Sequence, residues 1–211
     1  MAIPLTTYLN EKQGGSYEGF DIVAEGIRFC QKRITPKFPH FHFQRIDLHN
    51  TFFNPKGKYK AHEYRFPYKD NTFDMIFLVS VFTHMLTKDM EHYIYEINRV
   101  LKPGGKSFIT YFLLNYETRR YTMAGVSNFD FRYSLDERCF GSVQNVPEFD
   151  TAYEDKYILE LYKRCNLNLA RPIRYGFWRV YKSGDQTLKK KYRSHSPENY
   201  QDVIIAIKSE K

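Results

Sequence analysis

Two acidic residues and one short segment of the sequence lie where a parallel sheet would bind a ligand. Asp21 follows YEGF and Asp47 follows FHFQRI, two segments with a strand pattern. The segment SVFTHM, residues 80–85, follows a third predicted strand, which is nearly continuous apolar. Ligands of open parallel sheets bind outside the carboxyl ends of the strands, where an acid can accept hydrogen bonds from ribose hydroxyls or an adenine amino group. Asp21 alone is equally well explained as a helix cap, but the order and spacing of the three positions favour a nucleoside site.

The elements that must position these residues alternate between strands and helices. Apolar strand patterns occupy residues 16–23, 41–48, 73–82 and 106–114, and helical spacing of apolar residues lies between them. The segments LNLARPI and QDVIIAIK predict two last strands. Alternation of this kind predicts right-handed crossovers and a doubly wound, mostly parallel α/β sheet. Pro103-Gly104-Gly105 is predicted to end a helix and turn the chain back into the sheet.

The length favours one domain over residues 1–211. A composition with 42% hydrophobic and 18% aromatic residues indicates a globular chain. No apolar run approaches the roughly 20 residues that cross a bilayer, and the N-terminus does not have a signal-peptide pattern. Three dispersed cysteines indicate reduced thiols, so we expect a cytoplasmic protein that does not contact membranes. A net charge of +8 permits binding to an acidic partner. Basic residues are concentrated in residues 182–197, however, and we interpret that segment as a solvated surface loop.

Residues on the substrate side are predicted from their place after the third strand. His84 is the candidate general base, and its alternative role is a packed or surface residue at a helix entry. The irregular stretch 115–149, which includes Tyr116, is predicted to cap the substrate. Its aromatic rings could stack on an acceptor or form a satellite core.

A metal site is not expected. His40 and His42 share one face of a strand, with His49 nearby, but no acid or cysteine completes a recognised spacing. We therefore interpret these histidines as surface residues.

Five segments together resemble the class I S-adenosylmethionine-dependent methyltransferases of the small-molecule type. They are YEGFDIV, FHFQRIDLHN, FPYKDNTFDMIFLVSVFTHM, INRVLKPGGKSFITYF and QDVIIAIK. The resemblance spans most of the chain from Tyr17 to Lys208. It implies a Rossmann-like, doubly wound, mostly parallel sheet with an antiparallel last strand.

The resemblance also implies S-adenosylmethionine as cofactor and assigns residues to it. Asp21 would hold the ribose, with Ile22 against the adenine, and Asp47 and Leu48 would flank the adenine from the other side. Ser80 would approach the methionine part through its backbone. The substrate would be bordered by Phe82, Thr83 and His84, with Tyr116 on the cap.

One family feature is missing from the sequence. The family's first strand ends in an acidic, glycine-rich loop, and no such segment precedes MAIPLTTYLN. We therefore expect an N-terminally incomplete domain, explained by a truncated chain, a partner chain or a rearranged segment. Unpaired strands at the sheet centre would favour self-association, so a homodimer is a further hypothesis.

The functional hypotheses come from different classes. The first is a methyltransferase that aligns a small-molecule acceptor with the sulfonium methyl, either active or inactive as a truncated chain. The alternative is a non-catalytic binding or assembly module of the same fold. A nicotinamide-dependent oxidoreductase is disfavoured by the Leu-Lys-Pro-Gly-Gly turn and the order of the terminal strands. Nucleic acid is disfavoured as a partner, because SVFTHM replaces the Asp/Asn-Pro-Pro-aromatic turn of enzymes that methylate exocyclic amines of bases.

Overall fold

The computed structural model describes residues 2–193 and 200–210. The chain divides into two compact units, Met1–Lys60 (unit 1) and Ala61–Lys211 (unit 2). Each unit is described by itself, and the prediction of a single domain over residues 1–211 stays a prediction.

Unit 1 is built around a pair of parallel strands. Its elements are α1 (Ala2–Leu5), β1 (Tyr17–Asp21), α2 (Ala24–Arg33) and β2 (Phe41–Arg45). Tyr17 lies opposite Phe41 in the register, and Asp21 lies opposite Arg45. Helix α2 connects the strands as a crossover and buries Ile27, as its apolar spacing predicts. The strand, helix and strand expected from the sequence are therefore present.

In its described residues, unit 2 contains two four-stranded sheets and four α-helices. Its helices are α3 (Thr87–Val100), α4 (Tyr116–Met123), α5 (Asp155–Arg164) and α6 (Gln186–Arg193). Its strands are β3 (Phe73–Leu78), β4 (Leu101–Tyr111), β5 (Leu113–Leu114), β6 (Tyr133–Ser134), β7 (Cys139–Gly141), β8 (Thr151–Glu154), β9 (Leu167–Leu169) and β10 (Asp202–Lys208).

The first sheet of unit 2 has the order β3-β4-β10-β9. Strands β3 and β4 are parallel, and β10 runs antiparallel to both of its neighbours. The antiparallel last strand is thus confirmed. Helix α3 forms the β3-to-β4 crossover and buries Met90, Ile94 and Ile97, which recur at helical spacing. The second sheet has the order β5-β8-β7-β6.

Irregular structure was predicted in two stretches where the chain instead forms a helix, and both predictions are wrong there. Within residues 115–149, α4 forms because the Oδ1 of Asn115 accepts a hydrogen bond from the Thr118 N–H at 2.9 Å and caps the helix. Within residues 182–197, Gln186–Arg193 form α6, where the Oδ1 of Asp185 accepts from the Thr187 N–H at 2.8 Å. Residues 194–197 of the predicted basic loop lie outside the described residues.

The Pro-Gly-Gly segment has a different role from the one predicted. Helix α3 already ends at Val100, and residues 102–105 form a bulge at the start of β4. Gly104 has a φ of +75°, and a Cβ on Gly105 would lie 2.8 Å from the backbone oxygen of Lys102. The glycines therefore serve the bulge, because Gly104 takes a left-handed φ that side chains rarely adopt and Gly105 has no room for a Cβ.

Six strands of the described part of the chain lie at a sheet edge and bond to a single other strand, and β1 and β3 are among them. Strand β1 pairs with β2 alone, and β3 pairs with β4 alone. Met75 on β3 is 57% exposed, although it lies in a nearly continuous apolar run. The N-terminally incomplete domain nevertheless stays a prediction. None of the described helices is long and apolar enough to span a membrane.

A charged pair lies at the centre of unit 2. The side chains of Arg179 and Asp202 are 0% exposed, and their closest atoms, Nε and Oδ1, are 3.1 Å apart. Asp202 also accepts hydrogen bonds from the backbone N–H groups of Leu113 and Gly176, each at 2.6 Å, and from Trp178 Nε1 at 3.1 Å. Asp202 thus connects β10 to β5 and to the segment before Arg179. A buried ion pair persists in a core only with such additional hydrogen bonds.

Candidate functional site

The two candidate cofactor acids lie at the same edge of the parallel pair in unit 1. Asp21 is the last residue of β1, and Asp47 lies just beyond the end of β2. The Oδ1 of Asp21 accepts from the Val23 N–H at 2.8 Å, in a turn that leads into α2. The Oδ1 of Asp47 accepts from Asn54 Nδ2 at 3.1 Å, and Arg45 lies 3.6 Å from the same oxygen. Both carboxylates are held by their own local chain.

This arrangement suits a ligand that donates hydrogen bonds. Each acid uses Oδ1 within unit 1, so its Oδ2 can accept from a hydroxyl or an amino group. Ile22 is half-buried beside Asp21 and retains accessible surface. Leu48 is only 2% exposed, so its side chain is buried. The roles of Ile22 and Leu48 against an adenine stay predictions.

In unit 2 the segment after β3 is fixed by distant partners. Ser80 has a φ of +55°, in the left-handed region that non-glycine residues seldom adopt. Its backbone N–H donates to Thr110 Oγ1 at 2.9 Å, and its hydroxyl donates to Gln201 Oε1 at 3.0 Å. The strained conformation is thus held by β4 and by the residue that precedes β10. The predicted approach of Ser80 to a methionine group remains untested.

Phe82 and Thr83 lie in the core rather than on an open surface. Both are 0% exposed, in the short 3-10 helix Phe82–His84. The backbone oxygen of Phe82 accepts from Thr151 Oγ1 at 2.9 Å. The Tyr153 hydroxyl lies 3.0 Å from that oxygen and 2.6 Å from the backbone oxygen of Met85. These contacts fix the segment through its backbone, and substrate contact by the two side chains stays a prediction.

His84 is oriented by a backbone carbonyl. Its Nδ1 lies 2.6 Å from the backbone oxygen of Phe149, and because a carbonyl can only accept, Nδ1 carries the proton. In the neutral ring the lone pair is therefore on Nε2, which is the atom that could take a proton. Burial raises the pKa of the neighbouring Asp150, and His84 and the Ser142 hydroxyl oppose that rise. The imidazole of His84, which follows β3, thus lies close to the half-buried carboxyl of Asp150.

Tyr116 lies at the start of α4 and is 80% exposed. The Arg120 guanidinium lies 5.8 Å from the centre of its ring. The ring is accessible to a flat ligand, as the cap prediction requires, although its role there is untested.

Sequence reasoning missed the residues that hold the segment 80–85 in place. They are Thr110, Phe149, Thr151, Tyr153 and Gln201. The one signal available was a polar residue inside an apolar strand, as with Thr110 in FITYF. That signal does not reveal the partner, because the partner lies far away in the sequence.

Among residues 2–193 and 200–210, no group of three or more His, Cys, Asp or Glu side chains is placed to hold a metal ion. His42 instead lies 2.6 Å from Glu18, and His40 lies 3.2 Å from the backbone oxygen of Leu9. The expectation of a metal-free site stays a prediction.

Parallel strands with a crossover helix and acids at the strand ends define a Rossmann-like α/β protein that is suited to a nucleoside cofactor. A family model described as a methyltransferase domain matches residues 4–109, just over half of the chain. The chain therefore belongs to this methyltransferase domain family. The cofactor of the family is S-adenosylmethionine, and the exposed acid Asp21 and its neighbour Asp47 fit the nucleoside part of that molecule.

Solved structures agree with this fold. A SAM-dependent methyltransferase from Methanosarcina mazei is 19% identical, with 100% of this chain and 99% of that chain covered and a TM-score of 0.50. A protein from Pyrococcus horikoshii is 17% identical, with 97% and 76% covered and a TM-score of 0.54. A proposed sarcosine dimethylglycine methyltransferase from Galdieria sulphuraria is 16% identical, with 98% and 74% covered and a TM-score of 0.54. At these identities the likeness shows the fold.

Proposed function

We propose that this chain transfers a methyl group from S-adenosylmethionine to a small molecule in the cytoplasm. The observation that carries the proposal is the pair of acids at one edge of the parallel strands, each with Oδ1 held locally. Asp21 would accept from the ribose hydroxyls, and Asp47 would accept from the adenine amino group. Ile22 and Leu48 would flank the adenine, and Ser80 would meet the methionine part.

The bound cofactor supplies a methyl group that its sulfonium already activates, so the protein has mainly to align the acceptor. In this proposal His84 takes the proton that the acceptor releases. The Nδ1 hydrogen bond to Phe149 supports this role, because it leaves the lone pair on Nε2. Tyr116 and the stretch 115–149 would cover the acceptor, next to the segment that contains Phe82 and Thr83.

The test is calorimetric titration of S-adenosylmethionine and of its demethylated product into the intact chain. Asp21→Asn keeps an oxygen for the Val23 N–H and removes the charge, so it separates ligand binding from the local turn. Glu25→Gln is the matched control, because Glu25 is an exposed acid in the first turn of α2. We expect micromolar binding that weakens at least about ten-fold in Asp21→Asn and is unchanged in the control.

Absence of binding to the folded, intact chain would overturn the proposal. Equal weakening by Asp21→Asn and Glu25→Gln would also contradict it, since general charge rather than the ribose contact would then explain the loss.

The second candidate is a non-catalytic binding or assembly module, which includes a homodimer. The observation in its favour is that β3 ends its sheet, hydrogen-bonded to β4 alone among the described strands, with Met75 57% exposed. An apolar edge strand is a template for pairing with another chain. Native mass spectrometry at micromolar concentration should show a dimer that Met75→Lys disrupts. A monomer at that concentration would exclude the homodimer.

A further inference from the structure

An ordered loop of unit 1 exposes aromatic and basic side chains together. Residues 48–60, the aromatic loop, follow Asp47 directly and include the sequence TFFNPKGKYK. Phe52 is 51% exposed, Phe53 is 41% exposed and Tyr59 is 60% exposed. Three exposed lysines lie in the same loop, at positions 56, 58 and 60, and residues 49–60 contain no acid. The loop therefore places basic side chains close in sequence to exposed aromatic rings.

The conformation of the aromatic loop is fixed by hydrogen bonds. Asn50 is 6% exposed, and its Oδ1 accepts from the N–H groups of Phe52 at 3.1 Å and Phe53 at 2.8 Å. The His49 N–H donates to the Tyr59 backbone oxygen at 2.8 Å, which ties the two ends of the loop together. A Cβ on Gly57 would lie 2.3 Å from the backbone of Leu48, so only glycine fits there. The exposed rings are consequently held in place before any partner binds.

We propose that the aromatic loop binds single-stranded nucleic acid. The rings of Phe52 and Phe53 lie at 86° to each other with their centres 4.9 Å apart, and each ring is partly exposed. Exposed rings act as stacking platforms for unpaired bases, and lysines neutralise the phosphates between the bases. Preorganised rings reduce the ordering cost of binding.

The composition of the loop favours nucleic acid over a membrane surface. Interfacial segments usually enter the lipid boundary as amphipathic helices with Trp, Phe and Leu on one face. Residues 49–60 form no helix and contain neither Leu nor Trp. The exposed apolar surface is contributed by rings instead. This proposal departs from the expectation that nucleic acid is not a partner. That expectation rests on the segment after β3, which argues against methylation of bases, whereas the proposal concerns binding alone.

The test is fluorescence anisotropy of a labelled oligouridylate of about 12 nucleotides with the full chain, at about 50 to 200 mM salt. We expect Phe52→Ala/Phe53→Ala to weaken binding at least about ten-fold without changing the salt dependence. Lys56→Ala/Lys58→Ala should reduce the slope of log K against log salt by about 1.4, since each phosphate contact to a single strand contributes about 0.7. Lys189→Ala/Lys190→Ala removes equal charge from α6 and is the matched control, with an expected unchanged slope.

Three results would overturn the proposal. The first is an affinity of Phe52→Ala/Phe53→Ala within about two-fold of the intact chain. The second is a loss in the α6 control as large as that in the lysine variant of the loop. The third is a pair of observations on the loop variants: they still bind the oligonucleotide, but they no longer sediment with vesicles that contain about a quarter phosphatidylserine. The loop would then bind a membrane surface.

A Phe52→Leu/Phe53→Leu variant keeps apolar side chains at both positions and removes the planar rings. If Phe52→Ala/Phe53→Ala fails to fold, the leucine variant must itself bind the oligonucleotide more weakly for the proposal to stand.

Discussion

The candidate groups of unit 1 and unit 2 are held in place over very different distances along the chain. In unit 1, Asp21 is bound by a residue 2 positions away and Asp47 by one 7 positions away. In unit 2, Ser80 is bound by residues 30 and 121 positions away, and His84 by one 65 positions away. The candidate cofactor acids therefore depend on local turns, whereas the substrate-side segment depends on the assembled core. Substitutions at the long-range contacts of unit 2 should therefore change the free energy of unfolding more than substitutions at the local contacts of unit 1.

The largest effect is expected at the buried ion pair of unit 2. Asp202→Asn leaves the fully buried Arg179 charge without its partner, and this should lower the free energy of unfolding by about 3–5 kcal/mol. Asp74→Asn is the matched control, because the Asp74 side chain is 85% exposed and should change stability by less than about 0.5 kcal/mol. Urea unfolding of both variants measures the difference. Equal free energies of unfolding for the two variants would show that the Arg179–Asp202 pair does not stabilise the core.

A smaller effect is expected at the hydroxyl that fixes the segment 82–85. Tyr153→Phe removes the hydroxyl next to the backbone oxygens of Phe82 and Met85. Because these buried acceptors lose a hydrogen-bond donor, the free energy of unfolding should fall by about 1–3 kcal/mol. Tyr116→Phe, at a ring that is 80% exposed, should leave stability within about 0.5 kcal/mol of the intact chain. Thermal unfolding compares them, and a neutral Tyr153→Phe would refute the remote anchoring of this segment.

The pH dependence of stability tests the contact between α4 and α6. Burial raises the pKa of Glu117, but hydrogen bonds from Lys191, Tyr192 and Tyr121 outweigh it, and the pKa falls to about 2. Because the folded pKa lies below the unfolded value of 4.5, the stabilisation is complete above about 4.5 and is lost as the pH falls toward 2. Glu117→Gln should lower the unfolding temperature at pH 7 and have little effect near pH 2. A difference that is independent of pH would contradict this.

The smallest effect is expected at Asp21, where the holding contact is local and exposed. Asp21→Asn keeps an acceptor for the Val23 N–H, so the free energy of unfolding should change by less than about 0.5 kcal/mol. Asp21→Ala removes the acceptor and should cost about 0.5–1 kcal/mol. Urea unfolding at neutral pH distinguishes the two variants. If Asp21→Asn lowered the free energy of unfolding as much as Tyr153→Phe does, the contrast between local contacts in unit 1 and long-range contacts in unit 2 would be refuted.

Much of the fold was predictable because its signals are local. Apolar spacing in α2 and α3 and the apolar run of β3 gave the right elements in the right order. Helices α4 and α6 were missed because their apolar content is low, and a single capping residue, Asn115 or Asp185, starts each. The Pro-Gly-Gly segment was misplaced because a turn and a bulge require the same backbone freedom of glycine.

The sequence by itself determined the family, the order of strands and helices, and the positions of Asp21 and Asp47 at the strand ends. These features follow from side-chain periodicity and from residues close together along the chain. Only the tertiary structure decided that Phe82 and Thr83 are buried, that His84 donates through Nδ1, and that Arg179 pairs with Asp202. Burial and long-range hydrogen bonds depend on which distant segments meet when the core forms, and that information is not contained in any short stretch of the sequence.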